Sequence, residues 1–218
     1  MNYLSFDVGI KNLAYCILTP EKEIIDWNII NLNKNPICQV TLQKKCQKQA
    51  TYKILNGEME YCCTAHKKKF KKVKKINANY DLFQLSKTCL SELDNIDTSS
   101  VKCVLIENQP ALKNPTMKSI QMIIYTFFML QGVLNDKSSI QDVSMVNARN
   151  KLKVYKNEYG ALPDSIANHK NRYQKNKKSA VYITSKYLEN EHEEKWRDFY
   201  ENNKSKKDDL ADAYLMCK

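Results

Sequence analysis

The sequence predicts a layered α/β domain: a mixed five-stranded sheet flanked by helices. Three observations point to it. A meander of three short strands opens the chain, an almost continuous apolar run at 101–106 reads as a buried central strand, and apolar stripes of helical period alternate with strands thereafter. Residues 31–78 depart from this plan. They hold four cysteines and a lysine run, and read as a small module inserted into a single domain in a chain of 218 residues.

Residues 3–8 form the first expected strand. It carries Asp7 inside an apolar run, and a lone carboxylate is costly to bury unless a metal or another charge compensates it. Gly9 permits close approach at the strand end, and Lys11 adds a positive charge beside it. Residues 13–18 and 23–30 follow as strands, with Thr19-Pro20-Glu21-Lys22 as the turn. A helix is expected at 80–93 from the stripe Leu82, Phe83, Leu85, Cys89, Leu90 and Leu93. Strand four, 101–106, ends at Glu107, and Pro110 and Pro115 punctuate the loop after it. The helix at 116–134 is apolar on more than one face, which implies deep burial or a partner subunit. Strand five lies near 139–146. Helices are expected at 179–188 and 206–217.

Composition narrows the partners. Thirty-five basic against 24 acidic side chains give a net charge of +11, which favours a polyanion such as nucleic acid. Asp7 and Lys11 interrupt any secretory signal, and the longest apolar run, 122–130, is far below membrane-spanning length. The expectation is an intracellular protein. Cys16, Cys89, Cys103 and Cys217 fall in predicted elements as small buried residues. Cys38, Cys46, Cys62 and Cys63 cluster, and in a reducing compartment such a cluster argues for metal over disulfides.

Two groups of residues carry chemistry. Asp209 and Asp212 are three apart, hence neighbours on one helix face, and Asp208 with Asp212 would serve nearly as well. Close carboxylates repel unless a cation sits between them, and oxygen ligands suit Mg²⁺ or Mn²⁺. Alone, acids in a first helical turn merely complement the helix dipole. Together with Asp7 and Glu107 they read as one metal site. The second group is Cys38, Cys46, Cys63 and His66, zinc-ligand chemistry in a polar stretch that needs the metal to fold; Cys62 is the alternative to Cys63. Beyond it, seven lysines in the nine positions 67–75 are phosphate-seeking or simply solvated. Lys11, Lys113, Arg149, Lys151, Lys153, Arg172, Lys177, Lys178 and Lys207, with Tyr155 and Tyr173 interleaved, form a second set suited to DNA.

Ser5-Phe6-Asp7-Val8-Gly9-Ile10-Lys11-Asn12-Leu13-Ala14 resembles the opening of the poxvirus-type Holliday junction resolvases, relatives of the RuvC and yeast mitochondrial resolvases. Leu105 to Pro110, Asn114 to Met122, Asn147 to Tyr155 and Lys206 to Ala213 resemble later blocks in the same order. The resemblance implies an RNase H-like fold, a homodimer, and symmetrical Mg²⁺-dependent cutting of four-way DNA junctions; the apolar surface of the 116–134 helix makes it the candidate interface. It implies Asp7, Glu107, Asp209 and Asp212 as ligands of two ions, with Asp208 competing for the place of Asp209. It also suggests a large DNA virus acting in host cytoplasm or nucleus. Two readings compete: an RNase H-like nuclease on RNA–DNA hybrids, and a non-enzymatic zinc-containing DNA-binding protein. A sugar-kinase or actin-like ATPase also begins on an Asp-x-Gly strand, but it needs further glycine-rich loops, and this chain has four glycines.

Overall fold

The computed structural model describes residues 1–34, 36–55, 58–76, 81–147, 162–190 and 193–218. In chain order its elements are β1 (Asn2–Asp7), β2 (Leu13–Leu18), β3 (Ile24–Ile30), β4 (Tyr52–Ile54), β5 (Tyr61–Cys62), a 3₁₀ turn at Thr64–Lys69, and β6 (Val73–Lys75). Then come α1 (Leu82–Asp94), β7 (Val101–Glu107), α2 (Pro115–Phe128), a π-helical turn at Met129–Val133, β8 (Asp142–Val146) and the single-turn α3 (Asp164–Ala167). α4 (Arg172–Asn190), α5 (Glu194–Asn202) and α6 (Lys207–Met216) complete the order. The chain divides into two compact units, Met1–Leu32 with Leu82–Lys218, and Asn33–Asp81.

The larger unit is built on a five-stranded sheet of order β3-β2-β1-β7-β8. β1 pairs antiparallel with β2, and β2 with β3, as short turns allow; β1–β7 and β7–β8 are parallel. This is the expected mixed sheet flanked by helices. Strand alternation sorts the side chains to two faces. Leu4, Phe6, Leu13, Tyr15, Ile17, Val104 and Ile106 pack with Leu85, Cys89 and Leu93 of α1 and Ile120, Ile124 and Phe128 of α2. Ala14, Cys16, Leu18 and Trp27 pack instead with Ile183 and Tyr187 of α4, Trp196 and Tyr200 of α5, and Leu210, Ala213 and Tyr214 of α6. Every residue of β2 is buried, because both of its faces are covered.

Asn114 caps α2 by accepting a hydrogen bond from the Met117 amide at 3.2 Å, and Pro115 occupies the first turn, where its missing N–H costs nothing. α4 begins seven residues before the expected 179 because its first two turns carry almost no apolar signal. α5 was not foreseen, although Trp196, Phe199 and Tyr200 sit at helical spacing.

The smaller unit holds a three-stranded antiparallel sheet of order β5-β4-β6. Its core is small: Cys38, Val40, Ile54, Cys62 and Cys63, with Cys46, Tyr52, Phe70 and Val73 packed against them.

Candidate active site

β1 and β7 set the first two carboxylates. Phe6 pairs in parallel register with Ile106, so Asp7 and Glu107 follow at the carboxyl ends of neighbouring strands, on the same side of the sheet. That side is covered by α6, whose first turns carry Asp209 and Asp212. Two buried donors seat the helix. Ser5 Oγ donates to the Ala213 carbonyl at 2.6 Å, and Trp27 Nε1 donates to the Leu210 carbonyl at 3.1 Å. Trp27 is itself stacked on Tyr200, with centroids 5.2 Å apart and planes 13° from parallel.

Asp7, Glu107, Asp209 and Asp212 therefore line one cleft of about 590 Å³, together with Asp208, Lys11, Asn12, Gln109, Arg172, Tyr173 and Lys177. Asp7 is 9% exposed. Asp209 is half-buried. Its burial, reinforced by the negative charges of Asp208 and Asp7, pushes its carboxyl up to about 6 against the opposing pull of Lys177 and of a 2.8 Å hydrogen bond from Asn12 Nδ2. Asn12 Oδ1 in turn accepts from Lys206 Nζ. Gly9 makes this arrangement possible, since a β-carbon there would run into the Asn12 carbonyl oxygen.

The two adjacent aspartates differ. Asp208 is ion-paired with Lys177. Burial opposes the Lys177 charge, but the hydrogen bonds to Asp208 and Tyr173 outweigh it and raise the pKa of the amine. Asp208 thus has a cation already, whereas Asp209 faces other carboxylates.

Glu107 is held by amides that sequence reasoning did not single out. Gln109 Nε2 donates to Glu107 Oε2 at 2.8 Å and to the Val8 carbonyl at 3.5 Å. The Gln109 backbone N–H donates to Gln121 Oε1 at 2.8 Å, and Lys118 Nζ reaches the same oxygen at 3.1 Å. Gln121 is 0% exposed, a buried amide in the middle of an otherwise apolar helix face. That polar residue among Ile120, Ile123 and Ile124 was the available signal.

The expected DNA-binding residues that the structure describes fall into three groups. Lys11, Arg172 and Lys177 line the cleft. Lys113 is exposed in the loop before α2. Lys178 and Lys207 line a separate shallow hollow, where Lys207 pairs with Glu201 at 2.5 Å and lies 5.0 Å from the Tyr200 ring centre. Arg149, Lys151 and Lys153, with Tyr155, lie outside the described residues.

In the smaller unit, one donor atom each from Cys38, Cys46, Cys63 and His66 lies within 4.8 Å of the other three. His66 Nδ1 stands 3.4 Å from Cys38 Sγ and 3.5 Å from Cys63 Sγ. Burial alone would push the Cys63 thiol up, but the backbone amides of His66 and Ala65 and hydrogen bonds with Cys38 and Cys46 outweigh it and lower its pKa. Both Cys62 and Cys63 are buried in the small core, and Cys63 is the one whose sulfur joins the quartet. No carboxylate set among the described residues is drawn together to that spacing.

The strand order, with acids at the ends of β1 and β7 and on the helix crossing them, defines an RNase H-like α/β fold. The solved structure of the yeast mitochondrial Holliday junction resolvase Ydc2 shares it: TM-score 0.52 and 17% identity, over 99% of this chain and 76% of that one. The fowlpox virus Holliday junction resolvase aligns with a TM-score of 0.43 and 15% identity, over 99% of this chain and 93% of that one. Among curated sequences, the uncharacterised protein L451 of Acanthamoeba polyphaga mimivirus is 30% identical over 248 residues, covering 94% of this chain. This chain spans 59% of that relative's length. No protein-family profile matches. Among the described residues, no helix is long and apolar enough to cross a membrane.

Proposed function

We propose that this chain is a divalent-metal-dependent, structure-selective endodeoxyribonuclease that resolves four-way DNA junctions. The observation that carries the reading is the convergence of Asp7, Glu107, Asp209 and Asp212 on one cleft in a fold shared with a junction resolvase. The donor set fits hard cations. All four donors are carboxylates, and the Asp209 carboxyl is raised chiefly by burial and further by the negative charges of Asp208 and Asp7, a setting that a bound cation would relieve. Asp7, Glu107, Asp209 and Asp212 would hold Mg²⁺ or Mn²⁺, two ions at full occupancy, which activate water and neutralise charge at a scissile phosphate. The protein's own groups do the rest. Gln109 orients Glu107, Asn12 orients Asp209, and Lys11 and Arg172 offer positive charge to a phosphate backbone at the cleft wall. This reading leaves Asp208, ion-paired with Lys177, outside the ligand set.

The three cysteines and one histidine fit a structural Zn²⁺, three thiolates and an imidazole gathered around one point in a unit with a very small core. The reading includes a homodimer. α2 and the turn after it leave Leu130 57% and Leu134 67% exposed, beside a hollow of about 420 Å³ lined by Leu90, Met122 and Phe127. Two copies meeting there would supply the paired active sites that symmetric cutting needs.

The test is cleavage of a labelled synthetic four-way junction beside a linear duplex and an RNA–DNA hybrid, with and without Mg²⁺. Paired symmetric nicks confined to the junction are expected. Asp7→Asn should abolish them while junction binding persists. Cutting of the hybrid alone, or full activity in Asp7→Asn, would sink the proposal. A monomeric mass by light scattering at micromolar concentration would refute the dimer.

A further inference from the structure

The positive charge of this chain is concentrated in the smaller unit. Residues 33–81 hold twelve lysines and three carboxylates, Glu58, Glu60 and Asp81, a net charge of +9. The rest of the chain has 23 basic and 21 acidic side chains, a net charge of +2. All twelve lysines of the smaller unit are exposed. A solubilising surface needs no such partition, and a +9 field on 49 residues attracts a polyanion strongly.

Strand register gives the charge a surface. Tyr52 and Ile54 of β4 and Val73 of β6 turn toward the small core. Alternation therefore turns Lys53 the other way, and with it its cross-strand neighbours Lys74 and Tyr61. The three form a row across β5-β4-β6, and exposed Lys72, just before β6, continues the pairing by accepting a hydrogen bond from the Leu55 amide at 3.1 Å. Lysines placed side by side on one face repel unless an anion lies across them. The outward face carries one aromatic ring, half-exposed Tyr61, while Tyr52 and Phe70 pack inward. A face with several ammonium groups and a single ring serves phosphates better than it serves stacked bases.

We propose that the inserted unit is a nucleic-acid-binding module that grips the phosphate backbone of duplex DNA, without reading sequence, through the outer face of its sheet. The inference does not rest on the nuclease reading. Backbone binding by this face predicts a specific salt signature, because each lysine–phosphate contact releases about 0.9 of a counterion on B-DNA.

The experiment measures binding of the full chain to a linear duplex by fluorescence anisotropy between about 50 and 200 mM salt, with no divalent cation added and no chelator. The triple variant Lys53→Gln, Lys72→Gln, Lys74→Gln should flatten the slope of log K against log salt by about 2 to 3. Lys53→Arg, Lys72→Arg, Lys74→Arg should keep the wild-type slope, which separates loss of charge from damage to the sheet. As a control, Lys87→Gln, Lys137→Gln, Lys195→Gln removes three exposed lysines from the larger unit and should leave the slope unchanged. An unaltered slope in the first variant, or an equal loss in the control, overturns the proposal. Tighter and steeper binding to a single strand of the same length overturns the duplex assignment. Since cleavage is never read, failure of the nuclease reading leaves this result standing, and the converse also holds.

Discussion

Asp209→Asn should make the metal-free protein more stable at neutral pH. The carboxyl of Asp209 titrates near 6 in the folded protein against an ordinary value of 3.8, so folding favours its protonated form. The stability this group contributes is complete below about 3.8 and is lost as the pH rises through 6. At pH 7.5 the wild type therefore carries an ionised group in an unfavourable place. Taken whole, the shift corresponds to about 3 kcal/mol. Asp209 is only half-buried, and solvent screening reduces the effective cost to about 1 kcal/mol. Asparagine preserves the shape and still accepts the hydrogen bond from Asn12. For a chain of this length the gain corresponds to about 2–4 °C in melting temperature. Tryptophan fluorescence is the assay, because Trp27 and Trp196 both belong to the larger unit and report on it alone. The samples are dialysed free of Mg²⁺ without a chelator, which would also strip metal from the site of Cys38, Cys46, Cys63 and His66. The difference should shrink as the pH falls through 6 and vanish near 4. Millimolar Mg²⁺ should reverse its sign, since the wild type gains binding energy that the variant lacks. A variant that melts below the wild type at pH 7.5 without divalent cations, or a difference that ignores pH, refutes the reasoning.

Three further outcomes are expected. Asp208→Asn should retain at least about tenfold more junction cleavage than Asp209→Asn, a gap of about 1.4 kcal/mol in barrier, because Asp208 already has Lys177 as its cation; equal losses in a cleavage time course would contradict this. Gln121→Leu removes the acceptor for both the Gln109 amide and Lys118 and should destabilise by about 1–3 kcal/mol, read by urea unfolding, while raising the Mg²⁺ concentration needed for half-maximal cleavage. A stability loss with unchanged Mg²⁺ dependence would show that the network supports only packing. Cys63→Ser should reduce bound zinc from one per chain to none by elemental analysis and abolish hydrogen-exchange protection in residues 33–81; retained protection would mean that the unit folds without metal.

The parts of the fold visible in the sequence were those where period and burial agree. β1 stood out because a carboxylate interrupts a strand that is otherwise apolar, and β7 because both of its neighbours bury it. β4 and β5, at three and two residues, are too short for alternation to register. α4 hid its first two turns because Arg172 to Lys178 offers the core little. The cleft was legible as a set of acids, since charge in apolar context is rare. Its supporting amides were not, because Asn12, Gln109 and Gln121 look alike whether they face water or steer a carboxylate. The Cys62–Cys63 ambiguity was likewise beyond spacing alone; it took the folded positions of the sulfur atoms, with that of Cys63 3.5 Å from His66 Nδ1, to resolve it.

The parallel pairing of β1 with β7 has a consequence in time. Asp7, Glu107 and Asp209 follow one another at intervals of about one hundred residues along the chain, so every approach among these three closes a long loop. Local helices and the β1–β2–β3 meander can form early, yet none of them brings two of these carboxylates from different elements together. The cleft comes into being only when β7 has docked and α6 has settled on Ser5 and Trp27, among the slowest events that such a topology allows. A partly folded chain therefore lacks the cleft, and on the nuclease reading cleavage should return in a refolding experiment with the last phase of Trp27 burial, never ahead of it.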